Sequence, residues 1–475
     1  MNPLAIIFDC GATNVRVVAI DAQGKIEAQQ SYPNQTDIDP NFPEGRIWNL
    51  DVIWNKLVRA CKAVTSQIDP QRIVGITTTT FGVDGTFVDA QGNLLYPVIS
   101  WQCSRTVPVL ENIDKYLSKS ELYSESGVYP YNFNTINKLI WFKENHPEII
   151  NKAETFLFMP SLLNMKLTGL KCNDNTMIGT SMLANQSSQN LSKKIFEKLQ
   201  LSPDIFGRIG NSGDVAGKVI ASASQQTGLP EDVPVYLAGH DTQFAIIGSG
   251  ADVNQPVLSS GTWEILMTRS EKITTSSQEM DLGITTEFDA EKGKYNIGVN
   301  YVASGILEWI KNNFYGNLSG SECYEAMIRE AEQIPQGAEG VRLNPNFYAT
   351  QGVSRGSIEG LTLNTTRGHI YRAGLEALAN KLKEALVSIE KAGKFKAESI
   401  ICVGGGSKNA LWNQIRADVC GIPIKVIEQK ETTVLGASFY VFTSAGVFSS
   451  IKEAQKIVKQ SSIFYPKTKI TSIKS

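Results

Sequence analysis

Two short stretches set carboxylates where they could act on a phosphoryl group. In "IIFDCGATNV" (6–15) an apolar run closes on Asp9, and Gly11, Ala12, Thr13 and Asn14 follow before the chain turns apolar again. In "AGHDTQFA" (238–245) His240 and Asp241 stand between two apolar runs. A tight turn of small residues lets backbone N–H groups approach phosphate oxygens, and a threonine hydroxyl adds a donor. A second such turn, Ser260, Gly261 and Thr262, lies in "PVLSSGTWEILMT" (256–268). An ordinary hairpin uses the same residues, so one turn alone says little; its recurrence in each half of the chain points to a phosphate grip. Asp241 reads as a carboxylate base and, equally well on this stretch, as the cap of the helix that follows. Asp9 and Asp241 suit Mg²⁺, which prefers oxygen ligands and keeps several waters, so one or two aspartates suffice.

Other stretches carry groups suited to a polyol or a nucleoside. "TFGVDGTFVD" (80–89) puts Gly82, Val83 and Asp84 in a strand-like run, where a glycine marks a bulge or a close backbone approach. Asp84 could accept hydrogen bonds from sugar hydroxyls, or simply be a surface turn residue. In "SWQCSRT", Trp101 could stack on a sugar face with Arg105 four residues on, although most tryptophans belong to cores. "VGGGSKN" (403–409) ends a strand and opens a helix, and Gly404, Gly405 and Gly406 permit close approach of a flat ring, with Asn409 at hand. Asn300 precedes the apolar-periodic "YVASGILEWI" and reads as a helix N-cap ahead of a nucleotide contact. There is no G-x-x-x-x-G-K-[ST] and no G-x-G-x-x-G after a strand, so phosphates must be held another way. "GVSRG" (352–356) matches the G-x-S-x-G elbow of hydrolases, but no buried strand precedes Ser354, His146 lies upstream and His369 follows by only fifteen residues.

These residues need elements to hold them. Residues 4–9, 15–20 and 73–80 are apolar or β-branched runs separated by turn residues, as strands are. Leu50, Ile53, Leu57, Cys61, Val64 and Ile68 share one helical face, with Asn49 placed as N-cap. Residues 83–88 and 94–99 flank "DAQGN" and predict two strands joined by a polar turn. Leu375, Leu378, Leu382, Leu386 and Ile389 form a second helical stripe, and 399–415 reads as strand, glycine turn, helix. Alternating signals give an α/β class, and the repeated grammar predicts a duplicated domain with a central cleft. The break is expected near 246–256, giving domains 1–248 and 249–475.

Length and charge bound the rest. At 475 residues the chain exceeds one ordinary core, and 42% hydrophobic with 19% charged residues is globular composition. Forty-five basic against 47 acidic residues leave a net charge of −2, which argues against nucleic acid or an anionic membrane as partner. No apolar run approaches membrane-spanning length, and Asp9 breaks the only N-terminal one. Seven scattered cysteines without C-x-x-C fit reduced thiols and a cytoplasmic setting.

Together the motifs resemble the FGGY carbohydrate kinases, which have the actin-like (ribonuclease H-like) fold shared with hexokinase. "DCGATN" is similar to that family's first phosphate hairpin, "SSGTWE" to its second and "GGGSKN" to its adenosine turn. "FNTINKLIWFKEN" (133–145) resembles its Lys-x-x-Trp signature, and "GSIEGLTLNTTRGHIYRAGLE" (356–376) its C-terminal signature, with Gly374 departing from the usual larger apolar residue. The resemblance, from about residue 4 to 445, implies ATP- and Mg²⁺-dependent phosphorylation of a ketose at its C1 hydroxyl. It implies Asp241 as base, with Asp9 and Asp241 at the metal. Gly82, Val83, Asp84, Trp101, Arg105, His240, Asp241 and Thr242 would meet the sugar. Gly11, Ala12, Thr13, Asn14, Ser260, Gly261, Thr262, Asn300, Gly404, Gly405, Gly406 and Asn409 would meet the nucleotide. The competing class, a catalytically silent binding protein, fits poorly with both aspartates and both turns present.

Overall fold

A computed structural model describes residues 2–261, 263–318, 320–347 and 355–467; Thr262 and Ser354 lie outside the described residues. The chain forms two compact units. Unit 1 comprises Met1–Gly250, Ser270–Asn296 and Glu431–Val458, and unit 2 comprises Ala251–Arg269, Ile297–Lys430 and Lys459–Ser475.

In unit 1 the strands are β1 (Leu4–Cys10), β2 (Asn14–Asp21), β3 (Ile26–Pro33), β4 (Ile73–Thr80), β5 (Val215–Lys218) and β6 (Pro234–Tyr236), in the order β5-β6-β4-β1-β2-β3. β1 pairs antiparallel with β2 and parallel with β4; β4 runs parallel to β6, and β5 antiparallel to β6. In unit 2, β7 (Val257–Ser260), β8 (Trp263–Ser270), β9 (Tyr295–Val302), β10 (Ile400–Val403), β11 (Ile424–Ile427) and β12 (Gln460–Phe464) run β12-β11-β10-β7-β8-β9. Their senses repeat the first sheet: β7 antiparallel to β8 and parallel to β10, β10 parallel to β11, β11 antiparallel to β12. The mixed α/β fold therefore uses one six-strand order twice, the second sheet carrying a seventh edge strand, Ile284–Phe288.

β1 is buried along its whole length because both of its faces are covered. Successive side chains alternate, so Ile6, Phe8 and Cys10 pack toward α1 (Leu50–Thr65), with Leu57, Cys61 and Val64. Ala5 and Ile7 take the other face, with Phe244 and Ile247 of α2 (Asp241–Gly248). In unit 2, α3 (Arg367–Gly393) contains the expected Leu375–Ile389 stripe, and Gly374 packs close to the Ile310 side chain, where a Cβ would lie 2.8 Å from Cδ1. α4 (Ala410–Cys420) follows the glycine turn, and α5 (Thr432–Ser444) returns to unit 1 to pack on Ala5, Ile7 and Phe244. α2 and α5 cross at two glycines, where a Cβ on Gly248 would strike the Thr432 carbonyl and one on Gly436 the Phe244 carbonyl.

Two local expectations are corrected. Gly85–Val88 is a strand, but its ladder partner is Thr155–Phe158; across "DAQGN" there is one bridge, Val88 to Leu94, and Val98–Ile99 pairs with Phe42–Trp48 instead. Asn300 is not a helix cap. It lies exposed within β9, and the helix begins at Ser304 behind Ala303. The apolar period begins before the backbone has left the strand.

Because the helix crossing has no room for a methyl group, Gly436→Ala is expected to destabilise unit 1 by about 1–3 kcal/mol. A urea midpoint equal to the parent's would show that the helices separate without cost.

Candidate active site

Strand parity puts Asp9 on the β1 face that carries Ala5 and Ile7, the face against which α2 and α5 pack. Arg16, directly across the hairpin, donates from Nε to Asp9 Oδ2 at 2.7 Å and from Nη1 to Glu431 Oε2 at 2.6 Å. Burial raises the Asp9 pKa, Arg16 opposes this, and the nearby charges of Asp241 and Glu431 raise it further. Asp9 and Asp241 thus share a neighbourhood of negative charge that Arg16 offsets only in part, and among the described residues no donor is recorded for Asp9 Oδ1. That donor set fits a hydrated divalent cation. The turn beyond Asp9 is tight, with Gly11 N–H donating to the Asn14 carbonyl at 2.9 Å and the Asn34 side chain to the Gly11 carbonyl at 2.9 Å. Thr13 and Asn14 are exposed at its tip, and Gly11 and Ala12 are half-buried.

Asp241 is the first residue of α2, not its cap; His240 holds the cap position without a side-chain bond to the helix. The Asp241 carboxylate keeps 32% of its surface accessible. Burial among protein atoms raises its pKa, against the opposing effects of His240 and of hydrogen bonds from Thr242. It is therefore a stronger base than a free aspartate. His240 Nε2 lies 3.6 Å from Asp241 Oδ1, and Nδ1 lies 3.2 Å from Glu287 Oε2. Burial works against the imidazolium, but Glu287 and Asp241 raise the His240 pKa overall. Glu287 is itself fixed by Gln243 Nε2 at 2.6 Å and Thr180 Oγ1 at 3.2 Å. The His240 N–H donates to Thr176 Oγ1 at 3.0 Å, and Thr176 in turn donates to the buried Asp174. Gly82 leaves room for the imidazole, since a Cβ there would stand 2.9 Å from His240 Nε2.

Val83, next in sequence, has φ +64, unusual for a β-branched residue. Its carbonyl is held by Thr135 Oγ1 at 2.8 Å and Lys138 Nζ at 3.0 Å. Asp84 is wholly buried and ion-paired with Lys138 through Oδ1, while Oδ2 accepts from Trp48 Nε1 at 2.6 Å and Trp101 N at 2.9 Å. Asp84 is therefore enclosed by protein donors, Lys138 on one oxygen and Trp48 and Trp101 on the other. Trp101 is half-buried, its ring edge-on to Phe133. Arg105 points elsewhere: its buried guanidinium is bound to Asp39 Oδ2 at 2.6 Å and sandwiched by Phe42 and Trp141. It does not join His240 and Asp241.

In unit 2 the Ser260 side chain turns inward to Glu264 Oε1 at 2.7 Å, and Gly261 is the exposed tip. Gly404 and Gly406 are glycines because both abut Ser260; a Cβ on Gly404 would lie 2.8 Å from its carbonyl oxygen. A Cβ on Gly405 would meet nothing, so that residue alone faces open space. A cavity of about 570 Å³ opens beside it, lined among others by Gly404, Gly405, Ser407, Lys408 and Glu428. Asn409 caps α4, accepting from Trp412 N at 3.0 Å and donating to Tyr371 OH at 3.1 Å.

Sequence reasoning missed Arg16, Glu287 and Thr176. Arg16 had a signal, being seven residues from Asp9 with opposite charge; Glu287 and Thr176 reach the site only through the fold. Lys138 stood in view within the Lys-x-x-Trp stretch, but its partner Asp84 could not be inferred.

Residues 4–248 match the N-terminal domain of the FGGY family of carbohydrate kinases, and residues 257–442 match that family's C-terminal domain. L-fuculokinase of Escherichia coli strain K12 is 44% identical over 464 residues, covering 98% of this chain and 97% of its own. Rhamnulokinase of Bacteroides thetaiotaomicron is 26% identical, covering 95% of this chain and 93% of its own. Among solved structures, xylulose kinase from Rhodospirillum rubrum superposes with a TM-score of 0.88 at 19% identity, covering 98% of this chain and 94% of its own.

Burial pushes Asp174 up to about 6. The folded state then binds this proton more tightly than the unfolded chain, a contribution complete below the ordinary carboxylate pKa and lost as pH rises toward 6. Asp174→Asn keeps the acceptor for Thr176 and removes the titration. Between pH 4.5 and 7 the parent should lose about 2 kcal/mol more stability than the variant, read by urea unfolding; equal losses would exclude Asp174 as the group responsible.

Proposed function

Since the chain belongs to the FGGY family of carbohydrate kinases, we propose that it transfers the γ-phosphoryl group of ATP to the C1 hydroxyl of L-fuculose, giving L-fuculose 1-phosphate and ADP. The observation that carries the reading is the accessible, pKa-raised Asp241 at the start of α2, in a chain 44% identical to an L-fuculokinase over nearly its whole length.

Asp241 accepts the C1 hydroxyl proton as that oxygen bonds to the γ-phosphorus and the bond to the β,γ-bridging oxygen breaks. Phosphoryl transfer has a loose transition state, so positioning and charge neutralisation outweigh early proton removal. His240, whose backbone N–H donates to Thr176 and whose ring lies between Glu287 and Asp241, offers its Nε2 side to a sugar oxygen next to the base. Gly82, Val83, Trp101 and Thr242 complete the sugar contacts, with Asp84 and Lys138 holding Val83 in its strained conformation. Gly11, Ala12, Thr13 and Asn14 grip phosphate in unit 1; Gly261, with Thr262, does so in unit 2. The open face of Gly405 takes the adenosine, and Gly404, Gly406, Asn409 and Asn300 shape that side. Asp9 and Asp241 would hold Mg²⁺, which would supply neutralisation of charge on the triphosphate. No helix among the described residues is long and apolar enough to cross a membrane, and we place the reaction in the cytoplasm, where ATP is the co-substrate.

A panel of L-fuculose, L-rhamnulose, D-ribulose and D-xylulose tests the substrate. L-fuculose is expected to have the highest kcat/KM by at least tenfold; L-rhamnulose ahead of it would overturn the assignment. Asp241→Asn tests the base. Sugar-dependent ADP release should fall by about 10²–10⁴ with sugar binding retained, and near-parent turnover would refute the role.

A further inference from the structure

Unit 2 contains a charged pair that takes no part in the chemistry above. Glu264 and Arg416 are fully buried and ion-paired through Oε1 and Nη2. Their neighbours are the groups read as nucleotide ligands. Arg416 Nη2 donates to Ser260 Oγ at 2.8 Å, and Ser260 Oγ donates to Glu264 Oε1, closing a triangle beneath the β7–β8 tip. Arg416 Nη1 donates to Asn413 Oδ1 at 3.0 Å, and Asn413 Nδ2 donates to the Ser407 carbonyl at 2.7 Å, inside the glycine turn. Tyr301, the residue after Asn300, donates to Glu264 Oε2 at 2.8 Å. The guanidinium also lies over the Trp412 ring, 3.5 Å from its centroid.

We infer that Glu264 and Arg416 are positioning residues for the nucleotide, locking the hairpin tip, the Gly404–Asn409 turn and the Asn300 strand end into one rigid cradle. A buried ion pair is a poor source of stability, because desolvation offsets its attraction and well-packed apolar residues serve as well or better. What it supplies is fixed geometry, since the planar guanidinium and the carboxylate hold their several hydrogen-bonded partners in set directions. Three loops that would otherwise move independently are each one or two hydrogen bonds from this pair. Fold stability and ATP affinity should therefore separate when it is removed.

This inference rests on the reading of these loops as the nucleotide site, and the experiment keeps the two apart. Glu264→Met/Arg416→Met removes both charges at similar volume. The variant should unfold at or above the parent midpoint, with KM for ATP raised at least tenfold, while KM for the sugar and kcat at saturating ATP change less than twofold. A parent-like KM for ATP would overturn the inference. If the double variant does not fold, Glu264→Gln decides: it keeps the shape and the Tyr301 acceptor but loses the charge, and should raise KM for ATP at least threefold, an unchanged value being the contrary result. Gly405→Val, which points into open space, should raise KM for ATP in a fully stable protein. If it does not, the nucleotide reading itself fails; if it does while the Glu264 variants stay parent-like, only the positioning role fails.

Discussion

The unit that carries Asp241 depends on two helices meeting backbone to backbone. Gly248 of α2 and Gly436 of α5 leave no space for a side chain, so the helices approach as closely as their main chains allow. This crossing fixes the pitch of α2 and with it the direction of Asp241 at the helix start. The same α5 is preceded by Glu431, which binds Arg16, and Arg16 binds Asp9. Both carboxylates are thus referred to one late segment of the chain. That dependence explains why residues 431–458 belong to unit 1 although the intervening sequence builds unit 2.

Buried charge serves geometry in both units. Asp84 and Lys138 lie under Val83 and keep it in a left-handed conformation that a β-branched residue leaves readily, a cost of about 1–3 kcal/mol borne by the surrounding contacts. Glu264 and Arg416 lie under the second hairpin in the same way. The two sheets share strand order and sense, yet their hairpins differ in polarity. The first ends on a carboxylate near Asp241; the second ends on a serine whose hydroxyl is turned inward to Glu264 and Arg416.

The candidate site was partly legible before folding. Asp9, the small-residue turns and the His240–Asp241 pair could be picked out because backbone access and carboxylates at element ends leave a local signature. Asp84, Arg105 and Ser260 could be picked out too, but their local signature could not reveal that other side chains had already claimed them. Ser260 sits four residues from Glu264, within reach of inspection. Arg105 and Asp39 are sixty-six apart, and nothing short of the fold joins them.

The sequence by itself determined the α/β class, the strands around Asp9 and Asp241, the α1 and α3 faces and the duplicated plan, since hydrophobic period and turn chemistry are local properties of a chain. Tertiary structure decided which polar groups remain open to a ligand. It enclosed Asp84 among Lys138, Trp48 and Trp101, made Asp241 the first residue of its helix rather than the cap, and left Gly405 as the open glycine of its turn. Those outcomes depend on which distant side chain arrives to satisfy or desolvate a given group, and contacts between residues tens to hundreds of positions apart have no periodic signature to read.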